Sequence, residues 1–338
     1  MGDKLKRSNI AKLIYFSRST DIFTNLALED WLYTNRNFTN QPMLMLWRNK
    51  PCVVIGRHQN PWLESNFAML PQMGAELARR NSGGGTVYHD MGNLNLTFFT
   101  SRDSYSRRRN LELLSRALST HFNLAPEITK REDLCINGLK ISGTASKLGR
   151  TNAYHHCTLL VNANTAHISL ALKNLLGPHV KTNASVSVRS PIMNLNEERP
   201  GITVEEVMSA VISEWSSEVA VVDSIDDDHF PGVSQTRQKF LSEEWRFGRT
   251  PKFTLYRSVF QQLNIRAFLA VEKGKVANVG MEGDSVQFSV EKNNLEGLEG
   301  LMEVFIGKPF SKELLDEFEM VVAGLKNSSQ CLTMITNT

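Results

Sequence analysis

The sequence predicts a mixed α/β fold of the α+β kind, with a large N-terminal domain and a small α+β domain after it. Three observations lead to this expectation. Leu94, Leu96 and Phe98 recur at every second position, as in a strand. The dipeptide Asn137-Gly138 joins two short apolar runs, and residues 110–121 carry apolar side chains at helical spacing. With 338 residues, of which 41% are hydrophobic, the chain can bury a real core.

The first predicted strands cover residues 43–47 and 52–56, two apolar runs separated by the polar residues 48–51. We expect these strands to pair as a hairpin. The strand at residues 94–99 is expected to have one face more buried than the other, because its apolar residues alternate along the chain. The helix predicted for residues 110–121 follows this strand.

The Asn137-Gly138 dipeptide predicts a second hairpin, since both central residues of a type I′ turn need positive φ. Strand alternation then places Lys140 on the face opposite to Leu139 and Ile141. Further along, Thr203 and Glu206 form a capping box that predicts the start of a helix running to Trp215.

The domain boundary is predicted from turn-rich segments. Residues 223–232 are acidic and turn-rich and predict a loop, and residues 247–251 predict an interdomain link. The second domain is expected to begin near Phe253 and to contain a strand pair around Lys273-Gly274-Lys275. Two helices are expected in it, at residues 294–305 and 311–325. The predicted bounds are 1–246 for the first domain, 247–253 for the linker and 254–338 for the second domain.

Composition excludes several classes of protein. The chain has 38 basic and 35 acidic residues, a net charge of +3 that is too small to indicate nucleic acid as the main partner. Its four cysteines lack CxxC spacing, so we expect neither a zinc site nor a disulfide framework, and a reducing compartment fits best. No apolar run is long enough for a membrane span, and no apolar segment follows the initial MGDKLKR, so secretion is not expected.

Three consecutive glycines, Gly83-Gly84-Gly85, follow Arg79-Arg80-Asn81-Ser82. Glycines let backbone N–H groups approach a ligand closely, and arginines can pair with phosphate, so this stretch indicates an anionic ligand. It is neither a Walker A loop nor a GxGxxG turn that opens a helix. The alternative is a flexible glycine turn flanked by surface arginines, and three glycines alone would favour that alternative.

Lys140 lies in a short apolar strand that is followed by Ser142-Gly143 and preceded by the charged residues 130–133. In isolation, such a lysine is more often a solvent-facing residue of an amphipathic sheet. The small residues after it permit close approach of a ligand, so a site is the second possibility.

Several motifs together resemble those of lipoate-protein ligases and lipoyltransferases. They are, in chain order, LWRN, VVIGRHQNPW, RRNSGGGTVYHD with MGNLN, KREDL, LKISGTASK and YHHCTLL. The resemblance extends from about Leu26 to Trp215, with a weaker match at Trp245–Pro251. The resemblance is closer to animal mitochondrial lipoyltransferases than to bacterial ligases in three segments: ISGTASK, TVYHDMGN and YHHCTLL.

This resemblance implies a catalytic domain of the biotin and lipoate ligase type, related to class II tRNA synthetase cores, with a C-terminal accessory domain. It implies an enzyme that transfers a lipoyl or octanoyl group to a protein lysine, from lipoyl-AMP or from a lipoylated carrier such as the glycine cleavage H protein. An ATP-dependent lipoate ligase and a non-catalytic adenylate-binding regulator are the alternatives. ATP and Mg²⁺ would be needed only by a ligase.

The resemblance also implies roles for particular residues. Lys140 is the candidate catalytic residue, held near the mixed anhydride. The other candidate contacts to lipoyl-AMP are Arg80, Gly85, Thr86, Val87, Tyr88, Arg131, Thr158, Ser185 and Ser187. Trp47, Val54 and Gly56 match the wall of the acyl pocket, although Trp47 and Val54 could equally be core. His89 is expected to contact the substrate, and His89 or Asp133 could act as a base. No metal site is expected, except at Asp133 if the chain is a ligase.

The implied partners are lipoyl domains of 2-oxoacid dehydrogenase acyltransferase subunits and the H protein. Neither nucleic acid nor membrane is expected, and the chain is expected to be a monomer. The resemblance implies the mitochondrial matrix, although no clear transit peptide is recognised. Arg107-Arg108-Arg109, expected just before a helix, could dock an acidic lipoyl domain, but a solvated charged loop is favoured.

Overall fold

The computed structural model describes residues 12–174, 176–215, 219–261, 264–283, 286–289 and 302–327. The chain divides into two compact units. The first contains Met1–Arg57, Leu70–Leu172 and Ser187–Leu241, and the second contains His58–Met69, Lys173–Val186 and Ser242–Thr338. The second unit thus includes two short segments from the part of the chain assigned by sequence to the first domain. The predicted domain bounds themselves stay a prediction.

The strands and helices are numbered in chain order. The strands are β1 (Leu13–Ser17), β2 (Met43–Trp47), β3 (Cys52–Ile55), β4 (Glu76–Arg79), β5 (Val87–His89), β6 (Asn93–Ser101), β7 (Glu127–Ile128), β8 (Leu134–Ile136), β9 (Leu139–Ser142), β10 (Thr144–Leu148), β11 (Asn152–Leu160), β12 (Val180–Thr182), β13 (Val219–Val222), β14 (Phe253–Phe260), β15 (Ile265–Glu272), β16 (Lys275–Gly283) and β17 (Val286–Ser289). The helices are α1 (Ile22–Asn35), α2 (Pro61–Glu64), α3 (Arg107–Phe122), α4 (Thr165–Ala171), α5 (Leu195–Glu198), α6 (Val204–Trp215), α7 (Val233–Leu241) and α8 (Lys312–Asn327), with a π-helical turn at Glu244–Gly248.

A six-stranded sheet in the order β10-β11-β6-β2-β1-β13 organises the first unit. Its central strand β6 is buried on both faces, so the expectation of one more exposed face is wrong. Leu94, Leu96 and Phe98 join a core with residues of α3 and α6. On the opposite face Thr97 donates a hydrogen bond to Glu29 of α1. Helices cover both faces of the sheet, which explains why both faces of β6 are buried.

The predicted hairpin between β2 and β3 is also wrong, although both strands exist. Strand β2 belongs to the large sheet, whereas β3 pairs with parallel β4 and antiparallel β5 in a separate three-stranded sheet. The intervening residues connect the two sheets. The Asn49 side chain is buried there and bonds both Asn25 and His89. These contacts join the connection to α1 and to β5.

The second predicted hairpin is confirmed. Strands β8 and β9 pair antiparallel around Asn137 and Gly138, whose φ angles are 52° and 76°. Both values lie in the left-handed region that a type I′ turn requires. Strand β7 completes this small sheet.

The two helices predicted in the first unit are confirmed as well. Helix α6 begins at the predicted capping box, in which the Thr203 N–H donates to Glu206 and the Glu206 N–H donates to Thr203. Helix α3 begins earlier than predicted, because the Ser106 hydroxyl caps it by accepting from the Arg109 N–H. Arg107-Arg108-Arg109 therefore form the first helical turn instead of preceding it. The predicted acidic loop lies between β13 and α7.

The second unit is built on a five-stranded sheet in the order β12-β14-β15-β16-β17. The predicted strand pair around Lys273 and Gly274 is confirmed as the β15–β16 hairpin. The helix predicted for residues 311–325 is confirmed as α8, whose Phe318 lies in the core of this unit. The helix predicted for 294–305 falls mostly outside the described residues. Within the described ranges, no helix combines the length and apolar character needed to cross a bilayer.

Candidate active site

The three glycines form a loop, Ser82–Gly85, between β4 and β5, which we call the glycine loop. Gly84 has a φ of 84°, which favours glycine. Gly56, at the end of β3, passes directly beneath it. A Cβ atom on Gly56 would lie 2.2 Å from the Gly84 carbonyl oxygen. Gly56 is therefore required by the close approach of two backbone segments, and Gly84 by its positive φ.

The Arg80 guanidinium holds this loop from inside the protein. The residue is only 4% exposed. Its Nη2 donates to the carbonyls of Gly83 and Gly85 at 2.7 and 2.6 Å, and its Nη1 donates to the Val54 carbonyl at 2.9 Å. Burial lowers the pKa of Arg80 to about 10, so it stays a cation at neutral pH. Its observed contacts are with loop carbonyls, and contact with a ligand phosphate stays a prediction.

Arg79 is fully buried beside it and donates to the carbonyls of Gly56 and Arg57. The alternative of a glycine turn flanked by surface arginines is therefore wrong. Each buried guanidinium instead donates hydrogen bonds to backbone carbonyls at a turn, where strand pairing ends.

The far end of the glycine loop meets Ser187. The Thr86 N–H donates to the Ser187 hydroxyl at 2.8 Å, and a Cβ on Gly85 would lie 3.2 Å from the same oxygen. Ser185 belongs to the second unit, where its N–H donates to the His58 carbonyl. Of the two predicted serines, Ser187 is thus in direct contact with the glycine loop.

Lys140 lies in β9 with its backbone bonded on both sides. Its N–H donates to the Pro191 carbonyl, and its carbonyl accepts from the Met193 N–H. The ammonium is 2.8 Å from an Asp133 carboxylate oxygen, and the two side chains are 22% and 15% exposed. Lys140 is therefore a half-buried, ion-paired cation, unlike a freely solvated surface lysine. Arg131, two residues before Asp133, is exposed.

Thr158 of β11 lies against the segment that follows Lys140. Its hydroxyl accepts from the Gly143 N–H at 3.0 Å. A Cβ on Gly143 would lie 3.3 Å from that hydroxyl and 3.6 Å from a methyl carbon of Val87. The structure therefore brings together Thr158, Val87 and the residues immediately after Lys140.

The candidate pocket wall is deeply buried. Trp47 and Val54 are both 2% exposed or less, and the Trp47 indole N–H donates to the Thr97 hydroxyl at 3.1 Å. Tyr88 is buried too, and its hydroxyl is 3.3 Å from His167 Nδ1. Burial raises the pKa of Tyr88 to about 12, so the phenol is neutral.

His89 lies beside Trp47, with the two rings at 6.1 Å and nearly perpendicular. Burial, and after it the charge on Arg80, lowers the pKa of His89 to about 3. The imidazole is therefore neutral at physiological pH. Its Nδ1 bonds Asn49, and its Nε2 is buried without a partner among the described residues. A pKa this low makes His89 a poor general base, because it would rarely hold a transferred proton.

Asp133 is engaged by Lys140, and no group of three or more His, Cys, Asp or Glu side chains in the described chain is placed to hold a metal ion. Mg²⁺ is commonly held by one or two carboxylates together with substrate phosphates, so a magnesium contact at Asp133, expected only if the chain is a ligase, stays a prediction.

Sequence reasoning missed the buried polar residues behind the glycine loop. Glu29 accepts hydrogen bonds from Thr97 and His156, and His156 in turn bonds Ser82. The available signal was Glu29 itself, an acidic residue directly after the apolar run Leu26-Ala27-Leu28 of α1. His156 was visible only as part of the YHHCTLL motif, without an indicated role.

Residues 21–216 match the family model described as the lipoyl protein ligase A/B catalytic domain. This match covers more than half of the chain. The chain therefore belongs to the family of enzymes with a lipoyl protein ligase A/B catalytic domain, and the suspected family is confirmed.

Individual proteins of this family and their solved structures are also similar to the chain. The chain is 43% identical over 313 residues to the mitochondrial lipoyl amidotransferase LIPT1 of Mus musculus, covering 88% of this chain and 82% of the relative. It is 32% identical to lipoate-protein ligase A of Bdellovibrio bacteriovorus over 92% of both chains. The solved structure of P. falciparum LipL1 in complex with lipoate superimposes with a TM-score of 0.63 at 25% identity, covering 94% of this chain and 98% of the other. The lipoate-ligase type of fold is thus confirmed.

Proposed function

We propose that this chain is a lipoyltransferase. It moves a lipoyl or octanoyl group from lipoyl-AMP, or from a lipoylated carrier such as the H protein, to a lysine of 2-oxoacid dehydrogenase acyltransferase subunits. The observation that carries the proposal is the Lys140–Asp133 pair, in the same unit as the glycine loop and within the family match. Similarity to the mouse lipoyl amidotransferase supports transfer as the activity.

The chemistry proposed for Lys140 follows from the structure of an acyl-adenylate. Such a mixed anhydride places a carbonyl next to a phosphate, so one ammonium can contact both groups. When the acceptor lysine attacks the carbonyl carbon, negative charge develops on the carbonyl oxygen and Lys140 stabilises it. The new C–N bond forms as the C–O bond to phosphate breaks, and AMP leaves with the electron pair. The attacking amine also loses a proton, which passes to solvent water.

The surrounding residues have supporting roles in this proposal. Asp133 orients the Lys140 ammonium. Trp47, Val54 and Gly56 are proposed as the wall that meets the acyl chain, since Trp47 and Val54 are buried apolar side chains that suit a dithiolane and its alkyl tail. Thr158 adjoins the segment after Lys140, and the backbone N–H groups of the glycine loop meet the phosphate.

The partners and location are proposed from the same relatives. The acceptors are lipoyl domains, which present a lysine to an enzyme of this type. The name of the mouse relative includes the mitochondrion, and we propose the mitochondrial matrix for this chain.

An ATP-dependent lipoate ligase is the second candidate, favoured by the similarity to the Bdellovibrio ligase over nearly its whole length. Both activities need the same acyl-adenylate pocket, and they differ in whether the enzyme makes the adenylate itself. A non-catalytic adenylate-binding regulator is the third candidate. Retention of Lys140 and the glycine loop argues against it.

The deciding experiment compares acyl donors. Pure protein is incubated with an apo lipoyl domain and one of three donors: ATP with lipoate, presynthesised lipoyl-adenylate, or lipoylated H protein. The mass of the lipoyl domain is followed over time. We expect modification from the second or third donor and little from the first. Rapid modification with ATP and free lipoate would contradict a transferase-only function, and modification from none would favour the regulator.

A further inference from the structure

A chain of buried polar side chains runs from helix α1 to the glycine loop. The Glu29 carboxylate accepts from His156 Nδ1 at 2.9 Å, and His156 Nε2 bonds the Ser82 hydroxyl at 2.8 Å. The Ser82 oxygen also accepts from Arg80 Nε at 3.0 Å. Glu29, Ser82 and Arg80 are each no more than 4% exposed, and His156 is 9% exposed. We call Glu29, His156 and Ser82 the buried relay.

The partners fix the direction of three of these hydrogen bonds. An arginine only donates, so the Ser82 oxygen accepts from Arg80. A carboxylate only accepts, so one Glu29 oxygen accepts from both His156 Nδ1 and the Thr97 hydroxyl. The Ser82 hydroxyl lies 2.8 Å from His156 Nε2 and 3.4 Å from the Gly83 carbonyl oxygen.

The relay reaches the glycine loop through Arg80. Arg80 Nε donates to both the Ser82 hydroxyl and the Gly83 carbonyl, while Nη2 of the same guanidinium holds the carbonyls of Gly83 and Gly85. In a trans peptide plane, the C=O and the following N–H point in opposite directions. Holding these two carbonyls inward therefore turns the N–H groups of Gly84 and Thr86 outward. The Thr86 N–H does point away, towards Ser187.

A neighbouring contact holds the residue just before the glycine loop. Asn81 Nδ2 donates to the Asp30 carboxylate at 2.6 Å, and Lys147 Nζ is 2.9 Å from the same oxygen. Asp30 thus holds Asn81 directly, and the preceding residue Glu29 reaches Ser82 through His156. The conformation of this turn is determined from outside the loop.

We propose that Glu29, His156 and Ser82 are positioning residues for acyl transfer. By orienting Arg80, they keep the Gly84 N–H aimed at the phosphate of the acyl-adenylate before it binds, while the Thr86 N–H is held by Ser187. The inference rests on the proposed function, because it assumes that the glycine loop meets this phosphate. Such pre-organised donors accelerate a reaction most where charge develops.

The test uses Glu29→Gln, Ser82→Ala and the double variant in the full chain. A non-reactive sulfamoyl analogue of lipoyl-adenylate measures binding, and lipoyl-adenylate with an apo lipoyl domain measures the single-turnover rate of transfer. Each single variant is expected to lose about tenfold in rate, the size of one misplaced hydrogen bond to a charged group. The double variant should lose little more, because both changes act through the same histidine.

Asn110→Ala is the matched control. Asn110 bonds His155, the neighbour of His156 in β11, and does not contact the buried relay or Arg80. It should change the melting temperature as much as the relay variants while leaving the transfer rate unchanged.

Two results would overturn the inference: losses in the two single variants that multiply in the double variant, or relay variants that melt earlier but transfer at the wild-type rate. Failure of the wild type to bind the analogue would instead contradict the proposed function.

Discussion

At the scale of single residues, the ion pair between Lys140 and Asp133 determines how the ammonium can act. Both side chains are mostly buried, so the pair is less screened by solvent than a surface pair. The β9 backbone is bonded to Pro191 and Met193, which fixes the start of the lysine side chain. The methylene chain of Lys140 is flexible, and the ion pair with Asp133 restricts its motion.

Lys140→Ala is expected to abolish acyl transfer while leaving the fold intact. The ammonium is the proposed oxyanion and phosphate contact, and removing such a group commonly lowers the rate by about 10²–10³-fold. Transfer from lipoyl-adenylate is measured by mass spectrometry, with circular dichroism as the check on folding. Lys130→Ala, an exposed lysine ten residues earlier, is the control and should keep its activity. Retained transfer in Lys140→Ala would remove this lysine from the mechanism.

His89 should make the folded state sensitive to acid. Its pKa is lowered to about 3 in the folded chain, against an ordinary value of 6.5. Below pH 6.5 the unfolded chain therefore binds a proton that the folded chain does not, so stability falls as pH falls towards 3. One such proton corresponds to a slope of about 1.4 kcal/mol per pH unit.

Urea unfolding of wild type and His89→Gln between pH 7.5 and 5 measures this effect. His155 is also buried with a lowered pKa, so the wild-type loss exceeds that of one group. The prediction therefore concerns the difference between the two proteins: His89→Gln should lose less stability below pH 6.5. Parallel curves for the two proteins would show that His89 is readily protonated in the fold.

At the scale of elements, the glycine loop depends on its contact with the end of β3. Strand β3 is held between β4 and β5, so Gly56 cannot move away from Gly84 without disturbing the small sheet. The loop is held above by Ser187 and inside by Arg80. The shape of the glycine loop thus depends on its contacts with Gly56, Ser187 and Arg80.

Gly56→Ala is expected to destabilise the chain by about 1–3 kcal/mol, the usual effect of forcing an extra carbon into a packed site. The added Cβ would lie 2.2 Å from the Gly84 carbonyl oxygen, and both partners are backbone. Thermal and urea unfolding measure the loss. Gly83→Ala is the control for stability, since a Cβ there has no atom within 4 Å. Equal stability of the two variants would mean that β3 and the loop separate easily.

At the scale of the whole molecule, each unit has its own hydrophobic core. The core of the second unit includes Trp62 and Leu176, which come from the two short segments that precede residue 242. The Trp62 ring lies 5.5 Å from that of Phe247, 5.6 Å from Phe253 and 4.9 Å from Phe310. A cut in the chain near residue 241 therefore does not separate the units.

A chain that ends at residue 241 is expected to melt earlier than the full chain and to bind the dye 8-anilinonaphthalene-1-sulfonate. Truncation removes three aromatic partners of Trp62, namely Phe247, Phe253 and Phe310, and is expected to expose that ring and Leu176. Dye fluorescence and the melting temperature measure the effect. Replacing Trp62 and Leu176 with serine in the truncated chain should reduce dye binding. A truncated chain that melts like the full one would show that these two residues find other cover.

The sequence by itself determined the features that depend on neighbouring residues. The Asn137-Gly138 turn follows from local backbone sterics, the α6 cap follows from Thr203 and Glu206, and α3 follows from apolar spacing. The family, and lipoate with it, came from several motifs in order, and the comparisons confirmed the family.

Only the tertiary structure decided which distant residues meet. It placed β2 and β3 in different sheets and buried both arginines of the RRNSGGG motif. It also joined Glu29 to His156, 127 residues later in the chain, and His156 to Ser82, 74 residues away. The physical reason is that a turn or a cap is stabilised within a few residues. A buried polar contact is stabilised only when packing removes water from both partners, because each group then has only the other as a hydrogen-bond partner.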